Sequence, residues 1–402
     1  MINQKLKTAV IIIAAVSAVA VAGIYISNVI QKSKPIKIVT SFPMRGINVG
    51  VDIVNGIKMA LEEGDYRIDG RKVELVIEDD GDESGTWSSS KEWEIATRAA
   101  EDEEVLVYMG PFNSGAAKVS IPVTNESGLP QVSPGNTWPG LTKPGFAPGE
   151  PDAFYPTGMR SYFRNCPTDA VQGPAAAIWA KELGYKNIYI FDDGQAYGSG
   201  IAGLFEAEAI KSGLNIYGHQ TINNVSQDIR AELDDIKKSD VDLIYFGGIT
   251  TSGAIPLLRG IKDKQISAAF MGSDGIMEQA FIDQAGGAAE GVYVTQVGIP
   301  PSEMTEKGKD FVDRYKERYG VNPGTYSGFG YESMKVVMKS IKNAKKEDRA
   351  GILKAISETK NYDGLFGKWS FDENGDTTLL LVSGNKVENG KFVYKKLISE
   401  SR

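Results

Sequence analysis

The chain has 402 residues, and 44 Lys and Arg against 52 Asp and Glu give a formal net charge of −8. Its 42% hydrophobic and 24% charged content excludes collagen-like, disulfide-rich and wholly disordered classes, and the length favours two domains over one core. An acidic chain is a poor partner for nucleic-acid phosphates. A single Cys (Cys166) rules out an internal disulfide and cysteine-based metal sites, and a single His (His219) removes most imidazole-dependent catalysis. The composition therefore disfavours an enzyme, and no cofactor is expected.

Residues 1–30 stand apart from the rest. Lys5 and Lys7 precede an apolar run over 9–26, interrupted only by Ser17, Gly23 and Tyr25, and Lys32 and Lys34 close the segment. The run approaches the roughly 20 residues that span a bilayer. Ala18-Val19-Ala20 and Ala20-Val21-Ala22 both match a small-residue cleavage site. An uncleaved signal anchor and a cleaved signal peptide both fit residues 1–34. Either places the remainder outside the cytoplasmic membrane, anchored to it or released.

From residue 34 onward, strand-like runs alternate with amphipathic helices. The pattern predicts a strand over 36–39, a helix over 51–63, a strand over 73–77, a helix over 88–101 and a strand over 105–109. A helix over 116–126 and a short strand at 130–132 follow. The 138–156 stretch is rich in Pro and Gly and too long for a simple connection. After a hinge-like segment at 162–168 the cycle resumes, with helices over 175–183, 201–212, 229–238 and 254–261. Strands over 187–191, 214–219, 242–246 and 268–271 alternate with them. Helices over 307–319 and 331–344 lead to short terminal strands. Such alternation implies two α/β lobes with doubly wound parallel sheets covered on both faces.

Several motifs invite functional readings that their context weakens. Gly198-Ser199-Gly200-Ile201-Ala202-Gly203 has the dinucleotide fingerprint. However, six residues separate it from the preceding strand, and no carboxylate follows near position 218, so it reads as a glycine-eased helix start. Asp372-Glu373-Asn374-Gly375-Asp376 lacks the Gly and Glu positions of a calcium loop and reads as a hairpin turn. The 79–83 run reads as a solvated acidic loop, His219 and Cys166 as packing residues, and Asn125 and Asn224 as nominal glycosylation acceptors.

Strand ends carry more information, because open α/β sheets bind ligands beyond the carboxyl ends of their strands. The strand at 105–109 runs into Gly110-Pro111-Phe112-Asn113-Ser114-Gly115-Ala116, and that at 130–132 into Ser133-Pro134-Gly135-Asn136-Thr137. Both loops offer hydroxyls and backbone N–H groups suited to a carboxylate. In the second run, Asp274 follows the 268–271 strand and Tyr197 lies in the loop after 187–191. An anion nest on one lobe and a carboxylate on the other suit a zwitterion.

These loops, with Asn55-Gly56-Ile57-Lys58-Met59-Ala60, Gln172-Gly173-Pro174, Tyr245-Phe246-Gly247-Gly248 and Trp369-Ser370-Phe371-Asp372, resemble the branched-chain amino-acid-binding (leucine/isoleucine/valine-binding) family. These are type I periplasmic solute-binding proteins of ABC transporters. The resemblance implies a Venus flytrap of two lobes joined by three crossover strands. One lobe would hold residues 35–167 plus 297–363, the other 168–296 plus 364–402. It implies an amino acid bound by lobe closure and delivered by a monomer to ABC permease subunits in the membrane. Ser114 and Thr137, with backbone groups at Gly135 and Asn136, would hold the α-carboxylate. Asp274 would face the α-ammonium, and Tyr197 would form the wall. Asp274 stands where the family usually has Glu, Val49 replaces an aromatic, and Ile249-Thr250 replaces an aromatic pair, which implies a remodelled pocket. Arg160 or Arg164 are candidates for the cleft rim or for surface duty. The alternatives are an amide, urea or simple carboxylate in the same fold, or a ligand-sensing receptor ectodomain.

Overall fold

The computed structural model describes residues 34–46, 49–222 and 226–399. The apolar run near the amino terminus and the Asn224 sequon lie outside these. Among the described residues no helix is long and apolar enough to cross a membrane.

The first lobe is built on β1 (Ile36–Phe42), β2 (Arg67–Ile68), β3 (Arg71–Asp79), β4 (Val105–Met109), β5 (Gln131–Ser133) and β6 (Tyr162–Arg164), in the order β2-β3-β1-β4-β5-β6. All neighbours pair in parallel except β2 with β3. Every residue of β4, Val-Leu-Val-Tyr-Met, is buried, as a central strand covered on both faces requires. Helices α1 (Val49–Glu62), α2 (Ser89–Glu101) and α3 (Ser114–Glu126) follow their strands.

The chain then enters the second lobe through α4 (Asp169–Glu182). Its parallel strands are β7 (Asn187–Asp192), β8 (Asn215–Thr221), β9 (Leu243–Gly247), β10 (Ala269–Gly272) and β11 (Tyr293–Val297). Between them run α5 (Ala196–Lys211), α6 (Arg230–Lys238), α7 (Ala254–Asp263) and α8 (Gln279–Ala285).

After β11 the chain returns to the first lobe as α9 (Glu306–Tyr319), α10 (Ser327–Asn343) and α11 (Arg349–Ser357). Helix α10 lies tightly on α1. A Cβ at Gly56 would fall 2.0 Å from the Ser327 carbonyl oxygen, and one at Gly330 would fall 2.7 Å from that of Ile53. Small residues at both positions let the two backbones touch.

The third passage ends in β14 (Val382–Glu388) and β15 (Lys391–Ser399), which pair antiparallel and extend the second sheet to β15-β14-β11-β10-β9-β7-β8. The two-stranded ribbon β12 (Tyr362–Asp363) and β13 (Lys368–Trp369) precedes it. The sequence put the return to the second lobe at residue 364. Leu365, Phe366, Trp369, Phe371 and Leu379 instead join the first-lobe core. Glu332 of α10 holds them there. Its carboxylate, buried and pushed up to about 7 by desolvation, accepts from the Leu365 N–H and from Trp369 Nε1 at 3.0 Å.

Other expectations also change. Asp80 is fully buried with neither carboxylate oxygen hydrogen-bonded, so the acidic loop is open to solvent at Asp82 and Glu83 and only in part at Asp79. No group of three or more His, Cys, Asp or Glu that could hold a metal occurs among the described residues. The Asn125 amide is buried and donates to the Met159 carbonyl and to Ser161 Oγ, both at 2.7 Å, which withdraws it from glycosylation. Asp372–Asp376 is a turn, as read: Asp372 Oδ1 accepts from the Asn374 and Asp376 N–H groups at 2.9 Å, and Gly375 supplies φ 88°.

Arg164 lies in neither of the roles the sequence offered. It is wholly buried at the end of β6. Its Nε meets Asp376 Oδ1 at 2.7 Å, Nη1 donates to the Trp138 and Asn136 carbonyls at 2.6 and 3.2 Å, and Nη2 donates to Thr142 Oγ at 2.7 Å. Arg160 stacks on Tyr155, with its guanidinium carbon 4.1 Å from the ring centre. Removing one member of a buried, hydrogen-bonded ion pair strands the other charge and costs about 3–5 kcal/mol. Asp376→Ala is therefore expected to lower the denaturant midpoint sharply, whereas Asp152→Ala, at the exposed pair with Arg160, is expected to leave it nearly unchanged. Equilibrium unfolding of the two variants side by side checks this.

Candidate functional site

Where the two lobes meet, the carboxyl ends of β4, β5, β7, β9 and β10 converge on a small, narrow cavity. It is lined by Phe112, Asn113, Ser114, Gly135, Thr137, Tyr197, Ile249, Asp274 and Gly275. Five of the six residues singled out from sequence, namely Ser114, Gly135, Thr137, Tyr197 and Asp274, are brought together here. The sixth, Asn136, braces the wall. Its amide donates to the Phe112 carbonyl at 2.8 Å, and its Oδ1 accepts from the Tyr162 hydroxyl at 2.8 Å.

The first-lobe wall is the amino-terminal end of α3. Helix geometry leaves the first N–H groups there without intrahelical partners, and Asn113 and Ser114 at this end line the cavity. Ser114 Oγ accepts from the Trp138 and Thr137 N–H groups at 3.1 and 3.3 Å. Ser133 Oγ gathers the same loop by accepting from the Gly135 and Asn136 N–H groups, both at 3.1 Å. Asn113, the residue before the helix, makes no side-chain capping bond, and its buried Oδ1 has no partner.

The second-lobe wall is acidic. Asp274 Oδ1 accepts from the Tyr197 hydroxyl at 2.7 Å, and Oδ2 accepts from the Tyr326 hydroxyl, which belongs to the first lobe. Tyr197 also accepts the Gly275 N–H at 3.0 Å, so one phenol fixes both the carboxylate and the loop that carries it. Burial raises the Asp274 pKa against the lowering effect of these hydroxyls. Behind it, at the first position of α4, Asp169 is fully buried, and neither of its oxygens has a hydrogen-bond partner. Desolvation first, and then the like charge of Asp274, hold Asp169 well above the ordinary carboxylate range. The Thr137 hydroxyl opposes the shift from beyond bonding geometry.

Asp169 and Tyr326 were missed from sequence. Both sit at helix starts, where an acidic residue reads as a cap and an aromatic as core. The available signal was Asp169 lying three residues before Gln172-Gly173, at the head of a helix that begins at a lobe crossing. Val49 is half-buried against the first-lobe core and does not line the cavity. Ile249 does line it, and Phe112 and Tyr326 close it edge to face at 4.9 Å. His219 is a packing residue, with Nδ1 2.8 Å from Glu206 and Nε2 3.1 Å from Asp192. Cys166 is buried, and its thiol pKa is pushed up.

An acid whose native pKa is raised binds protons that the unfolded chain has lost. Its contribution to stability therefore falls as pH rises from the usual carboxylate value to the native one. Asp169→Asn is expected to raise the melting temperature, by more at pH 8 than at pH 5. Thermal unfolding at the two pH values measures it.

Residues 35–379 match the family model described as periplasmic binding protein. The chain is 26% identical over 362 residues to Leu/Ile/Val-binding protein homolog 1 of Brucella abortus, covering 88% of this chain and 91% of that one. It is 28% identical over 352 residues to Leu/Ile/Val-binding protein BraC3 of Rhizobium johnstonii, covering 86% and 89%. Its structure superposes on the leucine-binding protein LivK of Thermotoga maritima with a TM-score of 0.78 at 28% identity, covering 90% of this chain and 98% of that one. A solute-binding protein from R. palustris in complex with benzoate shares the fold, with a TM-score of 0.75 at 16% identity over 92% and 98% of the two chains. With two parallel-sheet lobes, three passages between them and a cavity at the strand ends, the chain belongs to the periplasmic binding protein family, as a type I solute-binding protein.

Proposed function

We propose that this protein is the extracytoplasmic substrate-binding component of an ABC importer and takes an α-amino acid between its lobes. The observation that carries this reading is the polarity of the cavity. The amino-terminal end of α3 and the Ser114 and Thr137 loop offer N–H and hydroxyl donors on one side. The buried carboxylate of Asp274 lies on the other. An α-carboxylate suits the first wall, since helix N-termini favour anions, and an α-ammonium suits the second. Ligand relatives named for leucine, isoleucine and valine support the same class. Phe112, Ile249 and Tyr326 would surround the side chain.

Asp274 is a shorter acid than Glu, but Tyr197 and Tyr326 hold it at the cavity rather than letting it withdraw. A simple carboxylate fits less well, because nothing in it would neutralise Asp274. Closure follows from ligand bridging the two walls, since only the apposed state offers both at once. One chain supplies both walls, so a monomer suffices, and the closed form would be the one presented to the permease subunits.

Ligand at about 100 times its dissociation constant should stabilise the full chain by about 2.7 kcal/mol, a clear thermal shift. Small and branched α-amino acids are expected to produce it, benzoate and urea are not, and Asp274→Ala should abolish it. Stabilisation by simple acids alone would reject the zwitterion site.

Because an ammonium lowers the pKa of the acids it meets, binding should release protons and weaken as pH falls toward the raised carboxyl pKa values. Calorimetry in buffers of different ionisation enthalpy reads the released protons directly.

A further inference from the structure

The glycine triplet Gly198, Gly200 and Gly203 is not a cofactor motif, and the 138–162 excursion is not accounted for by the cavity. The two features meet. Trp138, in the first lobe, lays its ring on the second-lobe helix α5 at Gly200. A Cβ there would fall 2.4 Å from both Cε3 and Cζ3 of the indole. One turn further along α5, Leu204 packs against the apolar cluster of the excursion, among Leu141, Phe154 and Tyr155.

The ring is held from behind. Its Nε1 donates to Glu150 Oε2 at 2.7 Å, and Glu150 is bridged at 2.5 Å to Lys118, whose ammonium lies 5.3 Å from the ring centre. Phe146 packs edge-on at 5.8 Å. At the other end of the same residue, the Trp138 N–H donates to Ser114 Oγ at 3.1 Å, and its carbonyl accepts from Arg164 at 2.6 Å. One residue thus spans the anion-facing loop and the opposite lobe.

We infer that Trp138 is a positioning residue for ligand binding: its indole latches onto the Gly200 notch of α5 when the lobes close, and the same residue sets Ser114 at the cavity wall. The latch adds apolar burial to closure outside the cavity, so affinity depends on a contact no ligand atom makes. Gly200 is required because any side chain would hold the lobes apart. This rests on the reading of the cleft as a binding site closed by lobe motion.

Gly200→Ala separates a latch from a merely structural contact, because the two roles move in opposite directions. In a helix interior Ala is favoured over Gly, so the melting temperature of the ligand-free protein should hold or rise. The lobes should meanwhile separate, giving a larger radius of gyration by small-angle scattering. Titration with L-leucine should show at least tenfold weaker binding. Adding Gly200→Ala to Trp138→Ala should cost no further affinity, since the ring that the methyl would strike is gone. Unchanged scattering and unchanged leucine affinity in Gly200→Ala would overturn the latch. If the wild-type protein binds no amino acid, the functional reading fails instead, and the scattering comparison alone decides the latch.

Discussion

The buried Arg164 guanidinium is the constraint on which the rest of this molecule depends. Full burial of a guanidinium is tolerated only where its donors are met. Here they reach three separate parts of the chain: the Asn136 and Trp138 carbonyls of the loop after β5, Thr142 beyond it, and Asp376 in the carboxy-terminal turn. Arg164 also takes part through its backbone, donating its N–H to the Gly375 carbonyl and accepting from the Thr377 N–H, both at 3.0 Å. Asp376 is in turn held by the Thr142 hydroxyl at 3.0 Å and by Lys143 at 3.2 Å, and the Arg164 charge keeps its carboxyl below the usual range despite burial. A loop with no regular structure is thereby fixed at both carbonyls that flank Thr137.

The site built on this frame is asymmetric in its electrostatics. The first-lobe wall consists of backbone dipoles gathered by Ser114 and Ser133, whose Oγ atoms accept the N–H groups of residues 135–138. The second-lobe wall carries one acid, Asp274, held by two phenol donors, while Asp169 is buried outside the cavity lining. An unpartnered buried carboxylate such as Asp169 lowers stability unless it is protonated or meets a cation. That cost in the folded chain is of the kind expected where binding, rather than packing, decides the residue. Contacts between the lobes around this centre include Tyr326 with Asp274, Trp87 with Gln195 at 2.8 Å, and Trp138 on Gly200. Ligand and lobe surfaces therefore contribute to the same closed state.

Strand positions were legible because fully buried runs such as Val105–Met109 are apolar without interruption. Helix bodies were legible from their periodicity. The starts of three helices were not. Asp169–Glu182, Ala196–Lys211 and Ser327–Asn343 each begin four to six residues before the apolar pattern does. Their first turns carry Asp169, Tyr197 and Ser327, polar or aromatic residues that face the cleft or a neighbouring helix instead of a core. The turns that define the site are thus the ones where hydrophobic periodicity is weakest. The late return to the second lobe was hidden for a related reason. Trp369 and Phe371 look like any terminal strand, and only the buried Glu332 carboxylate shows which lobe they join.

By itself the sequence determined the two alternating α/β runs, the loops at the strand ends and the residue types of the cavity walls. Each of these is a matter of local pattern: burial periodicity, turn chemistry and hydroxyls placed before a helix. Only the tertiary structure decided that Arg164 is a buried brace, that Asp80 and Asn125 are inside, and that Asp169 stands behind Asp274. It alone brought Trp138 onto Gly200. These are contacts between segments 22 to 212 residues apart or across the two lobes, and no local pattern encodes which distant backbone will supply a buried group with its partner, or leave it without one.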